Sequence, residues 1–218
     1  MWDCRGPLDK LGVVRYLTMT MNTVLYDATK YTLWGIFGTV WRMRVHGAQN
    51  VPKDGAVIIA CNHVSNLDPP LLGTACPRRI SYMAKEELFR IPVLGPAIRA
   101  VGAYPVDRKG SATSAIKRSV DVLSRGQVVG IFPEGGRNLT GTNEIRQGVA
   151  LLASLGKAPV VPASIVGTGQ ARRLAQFHVL FGPPLRLPQN RKATREEMAN
   201  FTDDIMRAIR QLPESLGR

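Results

Sequence analysis

The sequence predicts an α/β fold, a single domain with a mixed central sheet covered by helices, preceded by an N-terminal amphipathic helical segment. Three observations carry this. From Val45 onward, short runs of β-branched and apolar residues alternate with helical patterns. Two of those runs, Ala56-Val57-Ile58-Ile59-Ala60 and Val128-Val129-Gly130-Ile131-Phe132, stop abruptly in polar, glycine- or proline-rich turns. The chain has 218 residues, a length that suits one domain and buries well over half of the chain's surface on folding.

The first residues, Met1-Trp2-Asp3-Cys4-Arg5, have neither the basic start nor the apolar core of a secretion signal. Next come two uncharged stretches, Tyr16 to Tyr26 and Tyr31 to Trp41, separated by Asp27 and Lys30. Each is shorter than the roughly 20 apolar residues that span a bilayer, so no transmembrane helix is expected. At helical spacing Val14, Leu17, Met21, Val24, Leu25 and Ala28 form one stripe, and Leu33, Ile36, Phe37, Val40 and Trp41 another. With the amphipathic aromatics Tyr16, Tyr26, Tyr31, Trp34 and Trp41, they predict one or two helices lying in a membrane interface, Gly35 and Gly38 loosening the second. The alternative is that the stripes pack on the sheet. The division is a helical segment over 1–44 and the α/β domain over 45–218.

Strands are expected near Met43–Val45, Val57–Cys61, Ile80–Met83, Ala103–Val106, Val128–Phe132, Val160–Ile165 and His178–Phe181. Helices are expected near Pro70–Ala75, Glu86–Arg90, Val93–Val101, Ala112–Ser124, Val149–Leu155 and Arg195–Gln211. Thr194 and Glu197 stand at capping-box spacing before the last, and Gly126 closes the helix ending at Ser124.

The chemistry gathers where two strands end. After the first comes Asn62-His63-Val64-Ser65-Asn66-Leu67-Asp68-Pro69-Pro70. On a helix a step of five residues would leave His63 and Asp68 off a common face, whereas a tight turn brings them together. Asp68 would then hold one imidazole nitrogen and leave the other free to accept a proton from a substrate hydroxyl, with no protein nucleophile needed. The competing reading is that His63 satisfies backbone and Asp68 caps the helix that the prolines begin. After the second strand comes Pro133-Glu134-Gly135-Gly136-Arg137-Asn138. Glycines there let backbone N–H groups approach an anion, and a guanidinium binds phosphate bidentately.

These two blocks resemble the glycerophospholipid acyltransferases typified by 1-acyl-sn-glycerol-3-phosphate (lysophosphatidate) acyltransferase. The family's Asn-His-x-x-x-x-Asp block is matched from Asn62 through Asp68, and its Phe-Pro-Glu-Gly-Thr-Arg-Ser block by Phe132 through Asn138. Gly136 stands where the family has threonine and Asn138 where it has serine. Gly102-Ala103-Tyr104-Pro105-Val106-Asp107-Arg108 and Val161-Pro162-Ala163-Ser164-Ile165 resemble two weaker blocks, and the likeness covers roughly Val45 to Pro184.

The resemblance implies transfer of an acyl chain from acyl-CoA or acyl-acyl-carrier-protein to the sn-2 hydroxyl of lysophosphatidate, giving phosphatidate. The alternatives are another acceptor, such as a different lysophospholipid, glycerol 3-phosphate or a glycolipid, and, outside the enzyme class, a non-catalytic basic protein that binds membrane or nucleic acid. His63 and Asp68 would be catalytic. Arg108, Glu134, Gly135, Gly136 and Arg137 would bind the acceptor's phosphate and glycerol, and Asn62, Pro133 and Lys85 would support them. Arg108 could instead form a surface ion pair with Asp107, and Glu134 could hold a glycerol hydroxyl or pin Arg137. No cofactor is expected.

A net charge of +13 and a pI near 10.3 favour anionic partners, here a bilayer surface and a phosphorylated acceptor. Nucleic acid is not expected, because the basic residues are scattered and the aromatics do not interleave with them. The three cysteines, Cys4, Cys61 and Cys76, leave one unpaired under any scheme, which fits a reduced compartment and a peripheral or monotopic place on the cytoplasmic face of a membrane. Cys61 reads as a small core residue rather than an acyl carrier. His46 and His178 read as structural, and no ligand spacing for a metal is visible.

Overall fold

A computed structural model describes residues 10–92, 95, 98–99, 102–106, 112–135, 148–188 and 193–217, with side chains from residue 24 onward except 84, 85, 105, 106 and 112. Its seven-stranded sheet runs in the order β1-β7-β6-β2-β5-β3-β4. The strands are β1 (Arg44–His46), β2 (Val57–Cys61), β3 (Ile80–Lys85), β4 (Ala103–Val106), β5 (Val128–Ile131), β6 (Val160–Val166) and β7 (His178–Phe181). Only the β6–β7 pair is antiparallel, so the sheet is mixed, as expected. β1 starts one residue later than predicted, β3 runs on to Lys85, β6 reaches Val166, and Phe132 lies outside β5.

β2 sits at the centre, and all five of its residues are buried. A strand covered on both faces reads as an unbroken apolar run, and Val57-Ile58-Ile59-Ala60-Cys61 is one. Val57, Ile59 and Cys61 join the core on one face with Leu71, Leu72 and Ala75 of α2 (Asp68–Ala75). Ile58 and Ala60 join the core on the other face with helix α4 (Gly148–Gly156) and α5 (Arg195–Gln211). The helix between α2 and α4 in the chain, α3 (Ala112–Ser124), is where it was predicted, and the Glu86–Arg90 segment is a 3-10 turn. The helix expected at Val93–Val101 lies largely outside the described residues.

The N-terminal segment forms one unbroken helix, α1 (Lys10–Val40). Gly35 and Gly38 do not loosen it: the Thr39 hydroxyl bonds back to the Gly35 carbonyl at 2.8 Å, and helical hydrogen bonding carries through both glycines. The predicted stripe of Leu33, Ile36, Phe37, Val40 and Trp41 splits in two. Phe37 is buried and Leu33 and Trp41 pack on the core, while Ile36 and Val40 face outward. Residues 33, 37 and 41 repeat every four positions and form a single narrow ridge on the core. Trp41 stacks on Phe177 at 5.1 Å and donates its indole N–H to the Ala171 carbonyl at 2.9 Å. Lower down, Lys30 donates to the Cys76 carbonyl at 2.6 Å, and Arg79 donates to both carboxylate oxygens of Asp27 at 2.9 Å. No helix among the described residues is long and apolar enough to cross a membrane.

Candidate active site

β2 and β5 are parallel neighbours, with Ala60 beside Ile131. The chain leaves both strands at the same end of the sheet. α2, which follows β2, packs on one face, and α4, the next described helix after β5, packs on the other. Connections that diverge in this way open a crevice at the carboxyl ends of the strands, the usual place for a ligand in an α/β sheet.

Asn62 ends the β2 ladder with its side chain. Its Oδ1 accepts the Ile165 N–H at 2.8 Å and its Nδ2 donates to the Ile165 carbonyl at 3.0 Å, a side-chain rung between β2 and β6. The next residue, His63, is thereby held at a fixed exit from the sheet. The turn that follows is closed by the Asp68 N–H on the Ser65 carbonyl at 3.1 Å and the Leu67 N–H on Ser65 Oγ at 3.2 Å.

This turn brings His63 and Asp68 together. His63 Nδ1 lies 3.0 Å from Asp68 Oδ2, and the same oxygen accepts the N–H groups of Val64 and Ser65, each at 2.7 Å. Asp68 is fully buried, and the His63 side chain is 16% exposed. An ionised carboxylate only accepts hydrogen bonds, so Nδ1 carries the imidazole proton and Nε2 presents its lone pair. The capping alternative fails on geometry: Leu67 holds the N-cap position of α2 without a side-chain bond, and the Asp68 carboxylate turns back toward the loop. The helix therefore opens at Asp68, two residues before the predicted start.

The second turn reaches the first through Glu134. Its Oε2 accepts the backbone N–H of His63 at 3.0 Å, a partner that neither sequence reading of Glu134 supplied. The Phe132 ring packs against the imidazole at 4.4 Å between centroids and against Tyr82 at 6.3 Å. Pro133 is buried, and Gly135 adopts φ 67° as its N–H closes on the Phe132 carbonyl at 3.0 Å. That left-handed conformation is why glycine stands there. Gly136, Arg137 and Asn138 lie outside the described residues, as does Arg108. Lys85 ends β3, whose strand lies beside β5.

Cys61 is fully buried among the residues that pack on α2. Burial first, then the charges of Asp68 and Glu134, pushes its thiol well above the ordinary cysteine range. A thiol held protonated is a poor nucleophile, which agrees with the core reading. His46 and His178 stack at the β1–β7 edge with Nε2 and Nδ1 3.3 Å apart, away from the crevice. Burial, then the charge of His46, lowers the His178 pKa. Among the described residues no three His, Cys, Asp or Glu side chains converge on a point.

Sequence reasoning missed two links, Asn62 to Ile165 and Glu134 to His63. The signal for the first is a polar residue directly after a fully apolar strand. The second joins residues 71 positions apart and has no local signature.

Residues 42–166 match the family model described as Acyltransferase, a span that includes both turns. The chain is 33% identical over 184 residues to a 1-acyl-sn-glycerol-3-phosphate acyltransferase of Bacillus subtilis, covering 81% of this chain and 90% of that protein. It is 29% identical over 198 residues to one from Streptococcus pneumoniae, covering 88% and 73%. The crystal structure of the 1-acyl-sn-glycerophosphate (LPA) acyltransferase PlsC from Thermotoga maritima superposes with a TM-score of 0.65 at 25% identity, over 88% of this chain and 83% of that one.

Proposed function

Because the chain belongs to the acyltransferase family, we propose that it moves an acyl chain from a thioester to the sn-2 hydroxyl of 1-acyl-sn-glycerol 3-phosphate, giving phosphatidate. The observation that carries the mechanism is the 3.0 Å bond between His63 Nδ1 and a buried carboxylate, which leaves Nε2 as a base at the mouth of the crevice. The relatives' names supply the acceptor.

In this reading Nε2 takes the acceptor's hydroxyl proton as the oxygen attacks the thioester carbonyl. The oxygen–carbon bond forms, the tetrahedral intermediate collapses, the carbon–sulfur bond breaks, and the thiolate of coenzyme A or acyl carrier protein leaves with the proton returned by the imidazolium. Asp68 fixes the tautomer and stabilises the imidazolium. Glu134 positions His63 through its backbone N–H. Gly135 opens the turn that carries Gly136 and Arg137, and Arg137 with Arg108 holds the acceptor's phosphate, which aims its hydroxyl at Nε2. Lys85, at the end of β3, supports the phosphate, and Asn62 and Pro133 hold the two turns in place. α1 lies in the interface of an anionic bilayer on the cytoplasmic side, from which the lipid acceptor enters and to which the product returns.

The test is thiol release from acyl-CoA, wild type beside His63→Ala, with lysophosphatidate, glycerol 3-phosphate and a phosphate-free lysolipid as acceptors. Release with lysophosphatidate that falls at least about 10²-fold in His63→Ala meets the proposal. Equal turnover in the variant overturns the dyad. Preference for the phosphate-free lipid overturns the acceptor while leaving acyl transfer intact.

A further inference from the structure

A cleft of about 800 Å³ opens at the end of the sheet opposite His63, where β3 begins at Ile80 and β5 at Val128. Among the described residues its lining includes Arg78, Arg79 and Arg99 and no carboxylate, and Leu25 and Tyr26 of α1 form one wall. Each arginine is held by a different contact. Arg78 donates to the carbonyls of Pro52 at 3.0 Å and Gly126 at 2.7 Å. Arg79 grips Asp27 and lies over the Tyr26 ring at 4.7 Å. Arg99 lies over the Phe89 ring at 5.2 Å, a contact with a ring face that uses none of its N–H donors.

Three guanidiniums around one cleft select an anion, and their fork geometry suits phosphate oxygens. The wall selects further. Leu25, 54% exposed, stands with Ile36 and Val40 along one outward flank of α1, and Val24, Tyr31 and Trp34 are exposed along the other. Between Tyr16 and Trp41 the charged residues are Asp27 and Lys30, and both are engaged with the domain rather than these flanks. An apolar strip that runs into a basic cleft is the imprint of an amphiphile: the head belongs with the arginines and the chains with the strip. A water-soluble phosphate would leave the strip uncovered.

We propose that this cleft binds the phosphodiester headgroup of an anionic membrane phospholipid, whose acyl chains lie along the outward flank of α1 that includes Leu25. The site is separate from that for the acceptor, because the cleft lies where the parallel strands β3 and β5 begin, whereas His63 follows the end of β2. It rests on the reading of α1 as a membrane-interface helix and deepens it. The domain is then held at two places, by α1 in the apolar layer and by the arginines at the phosphates, and its tilt on the surface is set.

The test is partitioning of the full chain onto vesicles of phosphatidylcholine alone and of phosphatidylcholine with phosphatidylglycerol. Arg79→Gln/Arg99→Gln is compared with Arg207→Gln/Arg210→Gln, which removes the same charge from the exposed side of α5. Each arginine at an anionic surface is worth about a fivefold change in partitioning, so the cleft pair is expected to lose about 20-fold on phosphatidylglycerol vesicles and nothing on phosphatidylcholine. The α5 pair should lose less than about threefold. Arg99→Glu, which leaves the Asp27 pair intact, is expected to reproduce most of the loss, and thiol release on micellar lysophosphatidate should stay within about twofold in every variant. Equal losses in the two pairs, or none in the cleft pair, overturn the headgroup site. So does binding of soluble glycerophosphoglycerol as tight as that of the vesicles. Trp34→Glu separates the two readings: it should release the chain from both vesicle types, and unchanged binding in that variant overturns the reading of α1 itself.

Discussion

α1 and α5 both lie on the domain with one apolar ridge, yet they treat water in opposite ways. α5 buries Phe201, Ile205, Met206 and Ile209, and its other side carries Asp203, Asp204, Arg207 and Arg210. α1 buries Tyr26 and Phe37, keeps its two central charges on the domain, and shows Val24, Leu25, Tyr31, Trp34, Ile36 and Val40 to the surroundings. Their inner sides are alike in kind. The difference lies outside, where α5 is finished for water and α1 needs a further apolar partner. In the function proposed above, that docked ridge and apolar back make α1 a connector between the folded domain and a second apolar phase.

Substitutions on the inner ridges should show that likeness first. Phe37→Ala is expected to cost about 3–5 kcal/mol and Ile205→Ala about 2–5 kcal/mol in urea unfolding, since both side chains are almost wholly buried. A loss below about 1 kcal/mol for Phe37→Ala would mean that α1 is not part of the cooperative unit. Beneath α1, burial raises the Cys76 thiol from the ordinary cysteine value to about 11. A folded-state value above the unfolded one gives stability that is complete below pH 9 and lost as pH rises through about 11. Wild type should therefore lose on the order of 2 kcal/mol relative to Cys76→Ala between those limits; parallel pH profiles would contradict this.

The ends and backs of the helices give the smaller effects. α5 begins with a complete capping box, the Glu197 N–H on Thr194 Oγ1 at 3.2 Å and the Thr194 N–H on Glu197 Oε2 at 2.8 Å. Thr194→Ala should cost about 1 kcal/mol in the same unfolding assay. Ile36→Asn on the back of α1 should change stability by less than about 0.5 kcal/mol while weakening vesicle binding. A larger loss of stability there would show that this outward flank is covered by the chain itself.

Most of the fold was legible because its signals are local. β2, β4, β7, α3 and α5 stand where predicted to the residue, and β2 and β7 end directly at the turn residues Asn62 and Gly182. The His63–Asp68 pair was legible for the same reason, five residues apart across one turn. What misled was the stripe on α1: 3.6-residue periodicity says which side chains share a face but not how wide the contact on that face will be, and Ile36 and Val40 fell outside it.

The sequence by itself determined the alternation of strands and helices, the two turns that carry polar residues, and the net charge of +13. Each rests on neighbours within a few positions, where covalent geometry and side-chain period leave few choices. Tertiary structure alone decided that β2 and β5 lie side by side, that Glu134 holds the His63 backbone, that Asn62 replaces a rung to β6, and that Arg78, Arg79 and Arg99 line one cleft beside α1. Those contacts join residues far apart in the chain. They depend on which strands pair and which helix covers which face, a choice made by burying the whole core at once rather than by any one segment.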